Sequence, residues 1–213
     1  WFARLKALVI SMKAHIAGRY PMTQALMQGP SDILAALRGM NDFCLDFKDD
    51  PYSLADAIHF IAEEWILIAQ ELFEITPSWD GGYPAPRLEV WAPGTLIRIE
   101  EDATILISPE MYRDFFLEAD RRIFNAFDYS LIHTHSANRK IIPMLVEIPE
   151  LTGIQVLLDA MGPSVSEMVD SLRMIQDAGK ALLITHELSD GDVEYLKRKL
   201  SPAGLALERM NLY

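Results

Sequence analysis

Tyr129-Ser-Leu-Ile-His-Thr-His-Ser136 begins as a strand-like run and ends in two histidines, His133 and His135. Side chains two positions apart on a strand point to the same face of the sheet. Both imidazoles are therefore expected to project together from the end of one strand. Such a pair can hold a metal ion or grip an anionic substrate, so the stretch favours an enzyme.

Strands and helices alternate around this stretch. The apolar pattern predicts strands over 129–133, 153–159 and 181–185, and helices over 164–178 and 189–200. Near-continuous apolar strands separated by helices are typical of a parallel sheet covered on both faces, so the predicted fold class is α/β. Asp159, His186 and Glu187 follow these strands, and parallel α/β enzymes build their sites at the carboxyl ends of strands.

The first half is predicted to be mainly helical. Helices are expected over 1–16, 33–39, 52–74 and 108–127, with a strand over 94–101. Ser31 or Asp32 would cap the second helix, and Ser108 would cap the fourth. Residues 76–93 contain two adjacent glycines and four prolines, which predicts an extended loop. Within it Trp79, Asp80 and Tyr83 could form a lid over a ligand or fasten the loop to the surface.

Composition limits the classes of function. The 213 residues suit one domain, 1–213, or a piece of a larger protein, and the net charge of −12 argues against nucleic acid and anionic membranes as partners. Cys44 is the only cysteine, which excludes an internal disulfide and a cysteine-rich zinc site and favours a reducing cytoplasm. The apolar runs are shorter than the ~20 residues of a membrane helix.

Six stretches of the sequence form a recognisable set of motifs: Ile107-Ser-Pro-Glu-Met-Tyr-Arg-Asp-Phe-Phe116, the histidine-bearing strand through Asn138, Leu145-Val-Glu-Ile148, Gly153 to Asp159, Gly29-Pro-Ser-Asp-Ile-Leu-Ala-Ala-Leu-Arg-Gly39 and Leu45-Asp-Phe-Lys-Asp-Asp-Pro51. Together they resemble the uroporphyrinogen decarboxylase superfamily, which includes corrinoid-dependent methyltransferases. The resemblance covers nearly the whole chain and implies a (β/α)8 barrel. Because such a barrel takes about 250 residues, the chain would hold the last five β/α units and lack the amino-terminal part.

Departures from the family pattern bear on the chemistry. The segment Pro21–Met27 matches the decarboxylases poorly, and the strand end is closer to the methyltransferase branch, whose zinc site begins with His-x-Cys. His135 stands where that branch has the cysteine, and the later cysteine ligand is absent. Any metal would therefore be held by nitrogen and oxygen alone.

Each candidate residue has more than one interpretation. His133 and His135 could bind zinc, form a metal-free polar site or be a purely structural pair; in the first case Asp159, His186 or Glu187 could supply a further ligand. Asp159 could orient a histidine, bind the metal or act as a base. His186 could line the site or form an ordinary hydrogen bond, and Asp102 could be catalytic or lie in a solvated turn. Weaker candidates are Gln24 and Gln28.

Three functions follow as hypotheses. In the first, which the resemblance favours, a metal assists methyl transfer between a corrinoid on a partner protein and a small acceptor. In the second, the chain decarboxylates a porphyrinogen without a metal or other cofactor. In the third, it is a non-catalytic binding protein on the same fold. A homo-oligomer is compatible with all three.

Overall fold

Five strands form one parallel sheet in the computed structural model, which describes residues 1–209. Residues 1–209 contain seven strands in all: β1 (Tyr83–Pro84), β2 (Trp91–Ala92), β3 (Leu96–Glu100), β4 (Tyr129–His135), β5 (Gly153–Leu157), β6 (Ala181–His186) and β7 (Leu205–Arg209). The parallel sheet has the order β3-β4-β5-β6-β7, and β1 and β2 pair separately as an antiparallel hairpin. The prediction of an α/β fold with a parallel sheet is confirmed.

Helices flank the sheet. They are α1 (Phe2–Ile16), α2 (Pro30–Arg38), α3 (Met40–Asp49), α4 (Pro51–Ile75), α5 (Pro109–Met111), α6 (Leu117–Asn125), α7 (Ile142–Leu145), α8 (Val165–Asp177) and α9 (Asp190–Lys199). Short 3-10 segments cover Asp102–Leu106 and Ser136–Ile141, and one wide π turn, Tyr112–Phe116, joins α5 to α6. No helix among residues 1–209 combines the length and apolarity that crossing a membrane requires.

The two faces of the sheet differ in chemistry. Ile99, Ile132, Ile154 and Ile184 are fully buried in the main hydrophobic core, which they share with the flanking helices. Because side chains alternate along a strand, the neighbouring positions point to the opposite face. That face carries a polar network, whose members are Arg98, Glu100, His133, Gln155 and Thr185. We call it the polar face.

The predicted N-cap at Ser31 or Asp32 is wrong. Helix α2 begins at Pro30 with Gly29 as its N-cap, which agrees with the preference of proline for the first helical position. The backbone N–H of Ser31 instead donates to Glu101 Oε2 over 2.9 Å, and Asp32 Oδ1 accepts from the N–H of Ala103 over 2.6 Å. Both residues therefore tie α2 to the turn that follows β3.

The glycine- and proline-rich loop is fastened to the body of the protein. Its β1–β2 hairpin packs Ala85 and Ala92 against Leu96, the first residue of β3. Trp91 Nε1 donates to the carbonyl of Trp79 over 2.9 Å, and the ring of Tyr83 meets Phe73 edge-on. The loop thus covers the amino end of the sheet, which supports the fastening interpretation and places it away from the carboxyl ends of the strands.

Replacing Lys180 with methionine is expected to lower the free energy of unfolding by about 1–3 kcal/mol. Lys180 is buried, and its Nζ donates to the carbonyls of Ile148 and Leu151 over 2.6 and 2.7 Å. Methionine keeps the length of the side chain but leaves these oxygens without that donor. Urea unfolding would measure the change, with the exposed Lys48→Met as a control expected to stay within about 0.5 kcal/mol; equal effects of both changes would contradict the argument.

Candidate metal centre

Asp102, His133 and His135 converge at the carboxyl ends of β3 and β4. The Nε2 atoms of the two histidines lie 3.3 Å apart. Asp102 Oδ1 lies 3.8 Å from His133 Nε2 and 3.6 Å from His135 Nε2. Within residues 1–209, no other group of three histidine, cysteine or acidic side chains brings its ligand atoms within 4.8 Å of one another.

Strand register explains why these residues meet. His133 pairs with Glu100 in the parallel ladder, so β3 ends beside the histidines, and Asp102 lies in the turn two residues later. His135 extends from the same face of β4, as the i, i+2 spacing predicts. The sequence prediction that His133 and His135 project together is confirmed by the 3.3 Å separation of their Nε2 atoms.

Asp159 fixes the orientation of His135. Its Oδ1 lies 2.6 Å from His135 Nδ1, and its Oδ2 accepts hydrogen bonds from Ser136 Oγ and the N–H of Ala137 over 2.9 and 3.0 Å. A carboxylate that accepts from one ring nitrogen leaves the other nitrogen free to act as a ligand. Asp159 therefore lies behind His135 as an orienting group, which is one of the roles the sequence predicts for it.

Gln155 has the corresponding contact with His133. Its Oε1 lies 3.1 Å from His133 Nδ1 and also accepts from Arg98 Nε over 3.0 Å. Sequence reasoning missed this residue, although a glutamine in an otherwise apolar buried strand was a signal. With Nδ1 of each histidine occupied by an acceptor, both Nε2 atoms face the point that Asp102 also approaches.

The spacing fits a divalent metal ion. For a tetrahedral ion with metal–nitrogen distances of about 2.0–2.1 Å, two nitrogen ligands lie about 3.3–3.4 Å apart. The Nε2 atoms of His133 and His135 already have this separation, 3.3 Å. The Asp102 oxygen is a few tenths of an ångström farther away, at 3.6 and 3.8 Å, and its side chain is 44% exposed, so it has room to rotate. Two histidines and one carboxylate form a three-ligand set that leaves positions open for substrate.

The pKa values of the two histidines are shifted in opposite directions. Asp102 and then Asp159 raise the pKa of His135 to about 9, although partial burial opposes them. Burial and the charge of Arg98 lower the pKa of His133, although Asp102 opposes them. At neutral pH and without a metal, His135 is thus the imidazolium and His133 the neutral ring. Burial alone would raise the pKa of Asp102, but the two histidines outweigh it and lower that pKa.

A buried acidic group adjoins the centre. Glu101 and Asp120 are buried, and Tyr112 Oη donates to Asp120 Oδ2 over 2.7 Å. Burial raises the pKa of Asp120 to about 7 and raises that of Glu101 well above its usual range. Burial also raises the pKa of Asp32 to about 6. These carboxyl groups therefore retain protons at pH values where exposed carboxyl groups have lost them.

A cleft of about 440 Å³ opens beside the centre, and its lining is mainly apolar. Its walls include Gln28, Asp32, Ala35, Met40, Asp102 and Ile105. Asp32 Oδ2 is buried and has no hydrogen-bond partner in the described structure. Sequence reasoning assigned Asp32 only a capping role and so missed its place in this wall, while the weak candidate Gln28 does line the cleft.

His186 and Glu187 are not brought to the centre. Thr185 lies on the polar face, where its Oγ1 accepts a hydrogen bond from Gln155 Nε2 over 3.1 Å. Alternation along β6 therefore turns His186 to the opposite face, and neither His186 nor the exposed Glu187 belongs to the converging cluster. Gln24 is buried and lines a small cavity together with Trp65 and Arg98.

A larger cavity lies at the other end of the sheet. It measures about 880 Å³ and is lined by residues at the amino ends of the strands, among them Leu96, Tyr129, Gly153 and Ala181. The converging ligand atoms lie instead at the carboxyl ends, where parallel α/β proteins carry their sites. We therefore assign the candidate centre to the smaller cleft.

Comparison with known proteins gives no family assignment. The chain matches no protein-family model, and it matches no curated protein sequence. What can be proposed about its function therefore rests on the geometry of Asp102, His133 and His135 and on the motif resemblance described above.

Proposed function

We propose that the chain is the catalytic part of a metal-dependent enzyme that transfers a methyl group between a corrinoid and a small acceptor. The observation that carries the proposal is the convergence of two histidine Nε2 atoms, 3.3 Å apart, on the carboxylate of Asp102. A bound zinc ion would supply Lewis acidity, which lowers the pKa of a thiol or hydroxyl acceptor. The corrinoid would be carried by a partner protein.

The residues of the chain have distinct roles in this proposal. His133, His135 and Asp102 hold the metal, and Asp159 keeps Nε2 of His135 free for it through the 2.6 Å contact with Nδ1. The cleft of about 440 Å³ beside Asp102 would take the acceptor. A bound acceptor would shield the mainly apolar lining from water, which would strengthen electrostatic interactions at the centre.

The charges around the cleft favour methyl transfer over porphyrinogen decarboxylation. A substrate that carries several carboxylates would be expected to meet cationic groups. Among residues 1–209, Asp32, Asp102 and Asp159 surround the centre instead, and Arg98 on the polar face pairs with Glu100 over 2.7 Å. A metal-free decarboxylase and a non-catalytic binding protein have no comparable observation in their favour.

The fold and the cellular compartment are part of the same proposal. Five parallel strands in sequential order are compatible with five units of a (β/α)8 barrel of the uroporphyrinogen decarboxylase superfamily. The polar face would then line the inside of the barrel. A reducing cytoplasm suits the exposed free thiol of Cys44.

Metal content tests the proposal. Purified protein, stripped and then incubated with zinc, is expected to retain about one equivalent by elemental analysis. The double variant His133→Ala/His135→Ala is expected to retain none, because only the Asp102 ligand is left. Circular dichroism would establish that the variant is folded. Absence of bound zinc, cobalt, iron and manganese from the wild-type protein would overturn the metal-dependent mechanism.

A further inference from the structure

Gln155 connects His133 to the interior of the polar face. It lies in the middle of β5, is 4% exposed, and is the polar member of the run Gly153-Ile-Gln-Val-Leu157. Burying an amide costs free energy unless its hydrogen bonds are made. Here both ends of the amide are engaged, by His133 and Arg98 at the oxygen and by Thr185 at the nitrogen.

Arg98 and Thr185 fix which way the amide points. Arg98 Nε can only donate, and it lies 3.0 Å from Gln155 Oε1. Thr185 Oγ1 accepts from Gln155 Nε2 over 3.1 Å. A flipped amide would set an NH2 group against the N–H of Arg98, so two donors would face each other. Arg98 is itself held by Glu100 Oε1 at 2.7 Å.

The fixed amide determines the tautomer of His133. Gln155 Oε1 can only accept, so the proton of the neutral imidazole must be on Nδ1, 3.1 Å away. The lone pair is then on Nε2, which faces His135 and Asp102. We infer that Gln155 is a positioning residue that holds His133 in the Nδ1–H tautomer and thereby prepares Nε2 to bind a metal. The metal-binding half of this inference rests on the proposed function, whereas the tautomer does not.

The tautomer of His133 can be measured in metal-free protein. Nitrogen-15 NMR of metal-free protein at pH 10 distinguishes a protonated ring nitrogen from an unprotonated one, and at this pH His135 has lost the proton that would otherwise face Nε2 of His133. The wild type is expected to show His133 with the proton on Nδ1. Gln155→Met, which keeps the side-chain length but offers no oxygen, is expected to shift His133 toward the Nε2–H tautomer. Gln155→Glu keeps an acceptor oxygen and is expected to restore Nδ1–H.

Zinc affinity is the second quantity to measure. Loss of a group that orients a ligand typically weakens metal binding by about 10–100-fold, and that loss is expected for Gln155→Met. Leu183→Val is the matched control, because Leu183 is buried beside Gln155 in the β5–β6 ladder and touches neither histidine by hydrogen bond. Its tautomer and affinity are expected to equal those of the wild type.

The outcomes separate the two proposals. A wild-type His133 protonated on Nε2, or a folded Gln155→Met protein that keeps Nδ1–H, would overturn the inference. If the tautomer responds as expected but no form binds a metal, the proposed metal function fails while the tautomer control stands. Should Gln155→Met not fold, Gln155→Asn takes its place, since its shorter side chain withdraws the oxygen from His133 and the same shift is expected.

Discussion

Replacing Asp102 with alanine is expected to weaken zinc binding more than replacing Asp159 with asparagine. Asp102 directs an oxygen at the point where both Nε2 atoms meet, whereas Asp159 touches only the far nitrogen of His135, at 2.6 Å. Loss of an orienting group typically costs about 10–100-fold in affinity, so Asp102→Ala is expected to exceed about 100-fold. Competition against a chromophoric chelator at pH 7.5 would measure both.

Asp170→Asn is the control for total charge. Asp170 lies in α8 with its side chain 98% exposed, so its replacement changes the charge without touching the centre. Its zinc affinity is expected to equal that of the wild type. An Asp102→Ala protein that binds zinc as tightly as this control would show that Asp102 is not a ligand. Asparagine at 159 weakening binding as much as alanine at 102 would place Asp159 among the ligands.

The protein is expected to lose stability as the pH rises from 5 to 8, and Asp120 is a principal cause. Burial raises its pKa from 3.8 to about 7. Between these values the folded state binds more protons than the unfolded state, so the free energy of unfolding falls with rising pH. A difference of about 3 units corresponds to about 4 kcal/mol, of which about 3 kcal/mol falls between pH 5 and 8.

Comparison with Asp120→Asn measures this contribution together with the effect of Asp120 on the pKa of Glu101. Asparagine cannot ionise, so the loss of stability between pH 5 and 8, measured by urea unfolding, is expected to shrink by about 3 kcal/mol. Tyr112→Phe removes the 2.7 Å hydrogen bond to Asp120 but keeps the buried acidic pair. That variant is expected to be less stable at both pH values and to lose at least as much stability as the wild type between pH 5 and 8, because the tyrosine hydrogen bond lowers the pKa of Asp120. Identical pH dependence in wild type and Asp120→Asn would refute the role of Asp120.

The elements with a regular apolar period could be predicted from the sequence. The pattern over 52–74 predicts the long helix observed as α4, Pro51–Ile75, and the apolar runs predict β4, β5 and β6. The histidine pair could be predicted because its spacing of two residues has one meaning on a strand. Helix α3 was missed although Met40, Phe43, Cys44 and Phe47 follow the helical period; it is a short element of ten residues in which only Phe43 is buried.

The other parts of the centre depend on contacts between distant segments. Asp102 adjoins β3, but its convergence with His135 follows from the register of β3 against β4. Asp32 is separated from its partner Ala103 by 71 residues, and local sequence gave it only the chemistry of a cap. For His186 the local prediction holds, since it lies at the end of β6. Side chains alternate along β6, however, so His186 faces away from the cluster.

The π turn at Tyr112–Phe116 has a consequence for the order of side chains around its helix. A regular α-helix advances about 100° per residue, so residues eight apart would be about 80° out of phase. A π turn accommodates one extra residue, which removes most of that offset and lets Tyr112 meet Asp120. The turn thus resets the angular phase of the helix. Whether this tyrosine and this carboxyl group can meet depends on the number of residues in the turn as much as on their identity.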